Sequence, residues 1–394
     1  MLNNFNRCLK NKKNIRYYFS TLNKYPFLKK LGIEKNNIGC FNGKKWEANG
    51  ELITSINPTT NEPIANIILG NKEDYYKCIE NMKEIKKEWS ITPTPIRGQI
   101  VRDISYALRE NQEDLGSLIS LEVGKIKQEG IGEVQEFIDM ADLAVGMSRQ
   151  LPGQILPSER INHTMIETWN PLGSIGIITA FNFPSAVFGW NSSVSLICGN
   201  TQIWKGSLTT SLVTIAQQKI ITDVLDTYKL SQVATLCQGD GHDIGELFIN
   251  DKRLDLISFT GSTPVGRHVA KTVSSRFGQT ILELGGNNAL IVMDDADLEL
   301  ALPTVLFAAV GTTGQRCTTL RRLLLHEDIY DKFLEKLKKA YKQIKPGDPL
   351  EKDTILGPLH TKKSVIDFEN NINLIKKQGG KIITGGNKID FLNG

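Results

Sequence analysis

The chain has little of what marks a disulfide framework, a zinc centre or a membrane span. Its six cysteines (Cys8, Cys40, Cys78, Cys198, Cys237 and Cys317) are scattered through 394 residues with no CxxC pair and no Cys/His cluster. That spacing argues against structural disulfides and against a bound metal, and leaves free thiols in a reducing compartment as the default. Long apolar runs are missing too. The most apolar long window, 174–198, is interrupted by Asn182, Pro184 and Asn191, which makes a poor membrane span. Neither GxGxxG nor a P-loop occurs, because Arg267 and His268 stand where a P-loop needs Lys and Ser or Thr.

Acidic residues are absent before Glu34, whereas Arg7, Lys10, Lys12, Lys13, Arg16, Lys24, Lys29 and Lys30 all precede it. The net charge of +4 comes from that segment; with those eight bases set aside, the remaining Lys and Arg are outnumbered by the 43 Asp and Glu. A body of that balance lacks the basic excess expected of a nucleic-acid binder. The leader itself, with Leu2, Phe5, Leu9, Ile15, Tyr17, Tyr18 and Phe19 among its bases and Ser20 and Thr21 behind, reads as a mitochondrial transit peptide over 1–20. A frayed basic terminus on a cytoplasmic protein is the alternative.

Hydrophobic residues at 40% and charged residues at 23% are ordinary for a globular protein of two or three domains. After an irregular Asn- and Gly-rich entry with short strands at 51–56 and 64–69, the block from Lys72 to Arg149 reads as helical. Within it, 97–110 puts Ile100, Ile104, Ala107 and Leu108 on one face, and 133–147 does the same with Phe137, Met140, Ala141 and Ala144. Prolines and glycines around the alternating stretch 163–169 predict an extended hairpin arm over about 151–172. Strands at 175–180, 201–205, 233–237, 255–259 and 280–284 then alternate with helical patterns, clearest at 209–225, which predicts a parallel doubly wound sheet. A second α/β run follows, with strands at 289–293 and 322–325, helices at 297–310, 330–343 and 361–377, and a last piece at 381–384.

A doubly wound sheet binds ligands at the carboxyl ends of its strands. Phe259-Thr260-Gly261-Ser262-Thr263-Pro264-Val265-Gly266 runs from a strand into a helix, either as an anion site at the positive helix end or as a turn capped by Ser262. Lys205 ends a strand, where its ammonium either meets solvent or donates hydrogen bonds to a ribose. Asn182 precedes Pro184 at a helix start and is either a turn residue or an amide donor to a developing oxyanion. Glu283, an acid at an apolar strand end, is either a salt-bridged structural residue or a general base. Cys317, in a polar Gly-flanked loop beside Arg316, is either an inert thiol or a nucleophile whose thiolate the guanidinium favours.

In this order, Phe181-Asn182-Phe183-Pro184, Trp204-Lys205-Gly206-Ser207, Phe259-Thr260-Gly261-Ser262, Leu282-Glu283-Leu284-Gly285-Gly286 and Gly314-Gln315-Arg316-Cys317 resemble the aldehyde dehydrogenase superfamily. Gly189-Trp190-Asn191, Cys198-Gly199-Asn200 and Gly285-Gly286-Asn287-Asn288-Ala289 are similar to its antiquitin branch, the α-aminoadipic semialdehyde dehydrogenases. The likeness runs from about residue 22 to the end. It implies an α/β protein with a doubly wound NAD-binding domain over 21–284, an incomplete catalytic domain over 285–394, and a hairpin arm used in assembly of a homotetramer.

The resemblance also implies roles. Cys317 would be the nucleophile, Asn182 and the Cys317 N–H the oxyanion donors, and Glu283 the base that activates water. NAD contacts would fall at Thr179, Lys205, Gly241, Gly261, Ser262, Gly266 and Leu284. The substrate, a small-molecule semialdehyde of lysine catabolism, would be held by Glu122 at its amino end, by Arg316 at its carboxylate and by Trp190 along the tunnel; no metal is implied. Leu208, three residues after Lys205, stands where many NAD-preferring relatives carry Glu. Relatives continue for over a hundred residues past the position of Gly394, which leads to the expectation of an inactive or nearly inactive 394-residue chain. An inactive family member and a cofactor-independent thiol esterase are the rival readings.

Overall fold

The computed structural model describes residues 21–389 and Gly394; the expected transit peptide at 1–20 lies outside the described residues. Its strands are β1 (Asn36–Ile38), β2 (Cys40–Phe41), β3 (Leu52–Ile56), β4 (Pro63–Ile68), β5 (Ile155–Pro157), β6 (Thr164–Ile166), β7 (Ser174–Ile178), β8 (Thr201–Lys205), β9 (Ala234–Cys237), β10 (Leu256–Thr260), β11 (Gln279–Glu283), β12 (Asn288–Val292) and β13 (Leu320–Leu325).

The central sheet has the order β11-β10-β7-β8-β9-β2. It is parallel except for β2, which runs antiparallel to β9. Every residue of β7, β8 and β9 is buried. Their short apolar runs, without alternation, are what a sheet covered on both faces requires. On one face Ile175, Ile177, Trp204 and Leu236 pack into the main core; on the other Ile178, Ile203, Ile257 and Phe259 meet Tyr75, Met82 and Phe248.

The expected helical block forms as Lys72–Ile91, Thr94–Glu110, Gln112–Val123 and Lys127–Met147. Asn71 and Asp74 start the first of these as a reciprocal capping box. In the main core the Phe188 ring stacks on Trp204 at 3.9 Å and meets Phe137 edge-on at 6.1 Å.

The arm is present as the antiparallel β5–β6 hairpin, with Ile155, Ile166 and Trp169 exposed. Beyond β11, β12 and β13 pair in parallel against the Leu298–Val310 and Tyr330–Tyr341 helices around Val292, Val305, Ile329 and Phe333. Local expectations differ in places. Thr179 and Ala180 lie beyond β7, Val233 belongs to a 3₁₀ turn leading into β9, and 381–384, the end of the second run, forms no strand.

Candidate active site

The order β9-β8-β7-β10-β11 reverses between β7 and β10, which opens a crevice above their carboxyl ends. The loops there carry most of the residues singled out from sequence. Ser262 starts the 13-residue Thr263–Ser275 helix with extended backbone but makes no side-chain cap, so the positive helix end stays open. Its carbonyl accepts from Gly266 N at 2.9 Å. A Cβ on Gly266 would collide with Leu284, so this glycine serves close helix–strand packing. Gly241 has open space around it, in a π turn that Asp240 caps through His242 N.

Lys205 ends β8 with only 6% of its surface exposed, and its ammonium reaches one carbonyl, Gly206 O, at 3.4 Å. Burial pulls its pKa down to about 8, against the pull of Asp240. A buried cation with so little satisfaction, at the same end of the sheet as an open helix N-terminus and two strands from it, fits the ribose and pyrophosphate of a dinucleotide. Thr179 is buried between them, its N–H donating to Lys205 O at 3.1 Å and its hydroxyl accepting from Trp204 Nε1 at 3.0 Å.

Asn182 and Cys317 are brought together from 135 positions apart: Asn182 Nδ2 donates to Gln315 O, two residues before the thiol, at 2.8 Å. An amide nitrogen has two donors, so one remains for a ligand. Cys317 is exposed, and its carbonyl is held by Asn288 Nδ2 at 2.7 Å. The loop enters through Thr312, Thr313 and Gly314 at φ of 51°, 56° and 71°. Two β-branched residues in the left-handed region store strain of the kind found at functional sites. Glu129 secures that turn, accepting from Thr312 N at 2.9 Å and Thr312 Oγ1 at 3.2 Å while pairing with Arg316.

Three expectations change. Glu122 is fully buried and accepts from Ser55 Oγ at 2.7 Å, Leu212 N at 3.0 Å and Val213 N at 2.9 Å. It caps the Ser211–Thr227 helix from beneath, its carboxylate closed off from solvent and committed to those three donors; burial raises its pKa to about 7. Arg316 is not a free guanidinium beside the thiol, because Glu129 and Thr312 Oγ1 hold it between the Phe183 and Phe307 rings. Glu283 is exposed on the edge strand β11 rather than set in apolar surroundings, and its carbonyl accepts from Gly261 N at 3.1 Å. Trp190 lines an apolar groove of about 600 Å³ with Trp169, Leu172 and Ile281, a lining that includes none of Asn182, Glu283 and Cys317.

Sequence reading missed three supports. Lys125 and Glu133 form a fully buried ion pair at 2.7 Å, and Glu133 also accepts from Ser185 N at 2.6 Å and Ala186 N at 3.2 Å. Lys125 Nζ lies 3.8 Å from the Phe183 ring centroid, so the pair carries the Asn182 loop. Glu136 keeps part of its surface open to solvent, and partial burial of its carboxyl, with Glu133 beside it, raises its pKa, Lys125 and Arg316 opposing. His360 stacks on Phe181 at 4.4 Å. No local pattern marks these residues, since each acts through a distant partner.

Known proteins bear on this site directly. The sequence model of the Aldehyde dehydrogenase family matches residues 46–394. Aldehyde dehydrogenase family 7 member B4 of Arabidopsis thaliana is 54% identical over 94% of this chain and 73% of that protein. The α-aminoadipic semialdehyde dehydrogenase of Bos taurus is 52% identical over 93% of this chain and 68% of its own length. Among solved structures, a betaine aldehyde dehydrogenase of Staphylococcus aureus in complex with NAD+ superposes with a TM-score of 0.87 at 28% identity, covering 93% of this chain and 72% of that one. Together with the open helix end and the thiol loop above the switch point, these likenesses favour the dehydrogenase over the inactive and esterase readings: the chain belongs to the aldehyde dehydrogenase family.

Proposed function

We propose that the chain oxidises a semialdehyde bearing an amino and a carboxylate group, α-aminoadipic semialdehyde or a close relative, with NAD as hydride acceptor. The carrying observation is the Asn182 amide locked 2.8 Å from the carbonyl of Gln315 in the loop that presents Cys317. In this reading the Cys317 sulfur adds to the aldehyde carbon, and the free Asn182 N–H and the Cys317 N–H hold the resulting oxyanion. NAD, when bound, supplies the hydride acceptor; Lys205 and the N–H groups at the Ser262 helix end hold it. Cys317 then carries the acyl group as a thioester. Glu283 takes a proton from water, the hydroxide attacks the thioester, and the acid leaves with Cys317 restored as thiolate.

The substrate class is supported by the name of the bovine relative and by the charges near the loop. Arg316 offers its remaining donors to a carboxylate, and Glu136, near enough to feel Arg316, offers its charge to an ammonium. We propose also a domain boundary near residue 285, mitochondrial residence supported by the acid-free leader, with the cytoplasm as alternative, and a homotetramer assembled through the exposed hairpin. The test is NADH formation with an amino-carboxylate semialdehyde against a simple aliphatic aldehyde. Glu136→Gln should raise KM for the first and spare the second. Equal effects on both would return the substrate to an unspecified aldehyde.

A further inference from the structure

His360 stands where four segments of the chain meet, and no step above uses it. Its Nδ1 lies 3.0 Å from Val123 O and its Nε2 lies 2.7 Å from Thr209 Oγ1. A carbonyl only accepts, so Nδ1 carries the proton and Nε2 accepts the threonine hydroxyl. Both ring nitrogens are thereby committed, and burial keeps the ring neutral, with its pKa drawn down to about 4. The anchors are rigid: Val123 ends the Gln112–Val123 helix, and Thr209 lies in the turn after β8.

The other two contacts reach the reaction site. The imidazole lies flat on Phe181, centroids 4.4 Å apart and planes 6° from parallel, and Phe181 precedes Asn182. The His360 backbone N–H donates to Gln315 Oε1 at 3.0 Å. Gln315 is also the residue whose carbonyl takes the Asn182 amide at 2.8 Å. It is therefore gripped from two sides, two residues ahead of Cys317. A ring needed only for packing would be complete with Val123 and Thr209.

We propose that His360 is a positioning residue for the aldehyde oxidation, holding the Asn182 amide and the Cys317 loop in register through Phe181 and Gln315. This rests on the reading of Asn182 as oxyanion donor and Cys317 as nucleophile. Loss of the ring lets Phe181 and Asn182 shift against the thiol loop, and a displacement of about 1 Å costs on the order of 10²-fold in rate.

The test is a double-mutant cycle in the full chain with His360→Ala, Asn182→Ala and both together, reading kcat, KM for the aldehyde, NAD affinity by calorimetry and Tm. His360→Ala should lower kcat by about 10- to 100-fold while KM and NAD affinity move less than about threefold. In the Asn182→Ala background the further loss should be under about threefold, because the ring acts through that amide. His360→Asn, whose amide nitrogen reproduces the donor to Val123 but not the stack, should fall between wild type and alanine, and it carries the cycle if alanine does not fold. Losses that multiply, or that follow Tm and NAD affinity instead of kcat, overturn the proposal. If Asn182→Ala alone leaves kcat intact, the oxyanion reading fails and this proposal with it. If Asn182→Ala is damaged while His360→Ala is not, only this proposal fails.

Discussion

No residue of β7, β8 or β9 is exposed, whereas in β12 and β13 only Val292 is buried. The first part of the molecule closes over both faces of its sheet; the second packs one side of a two-stranded sheet and leaves Ile291, Leu300, Phe307 and Leu324 exposed. The difference shows in how each part holds its functional groups. Lys205 and Thr179 are set by burial, in surroundings where a side chain has one place to go. Cys317 is set by hydrogen bonds, from Asn182 and Asn288 to its loop and from the strained turn to Glu129. On the proposed reading, a nucleophile that must meet an incoming aldehyde and later release an acid needs that access.

The sharpest way to break this contrast is at the thiol. Cys317→Ala should abolish turnover with Tm and NAD affinity unchanged, because an exposed side chain held through its backbone adds nothing to the core; calorimetry beside an NADH assay decides it. Retained turnover would remove Cys317 from the chemistry. On the other side of the crevice, Asn182→Ala should cost on the order of 10² to 10³ in kcat, the usual effect of losing one oxyanion donor. A change below about threefold would return Asn182 to a turn residue.

Stability should divide along the same line. Lys125→Met strands the fully buried Glu133 carboxylate and should cost about 3 to 5 kcal/mol in urea unfolding. Binding of NAD should also depend on pH through the buried region. Burial lowers the Lys205 pKa to about 8, so the ammonium proposed to donate to a ribose is present below that pH and is lost above it. Affinity should therefore weaken as pH rises through about 8, by at most about tenfold per pH unit, and Lys205→Gln should bind weakly with no such slope. A flat wild-type titration would take Lys205 out of the cofactor site. Smallest of all, Lys336→Ala removes a surface pair with Glu299 in the second part and should move stability by less than about 0.5 kcal/mol. An effect comparable to that of Lys125→Met would mean that the second part is as tightly coupled as the first.

Much of this was legible in the chain. The strand expected at 201–205 is β8 residue for residue, and the helix expected at 361–377 starts one residue later with Thr361 as its cap. Burial on two faces writes itself as an unbroken apolar run, and a capped amphipathic helix writes itself as a period, so both are readable without a partner. The five ordered motifs likewise placed Asn182, the Ser262 turn and Cys317 on loops, and Lys205 and Glu283 on strand ends, at one end of the sheet.

The partners were not legible. Glu122 and Glu136 are both carboxylates on helices, and nothing local says that the first disappears under the Ser211–Thr227 helix while the second stays open to solvent. Arg316 sits next to Cys317 in sequence, yet its charge is turned toward Glu129, 187 positions away. His360 carries no motif; its position follows from Val123, Thr209, Gln315 and Phe181 arriving at one point from four segments. The amino-acid sequence by itself determined most of the helical, extended and loop segments, and which motifs face the carboxyl ends of the strands, because those properties depend mainly on near neighbours. Which charges are spent inside and which remain for a ligand was decided only by tertiary structure, since a charge is neutralised by whatever lies within a few ångströms, and that neighbour can come from anywhere in the chain.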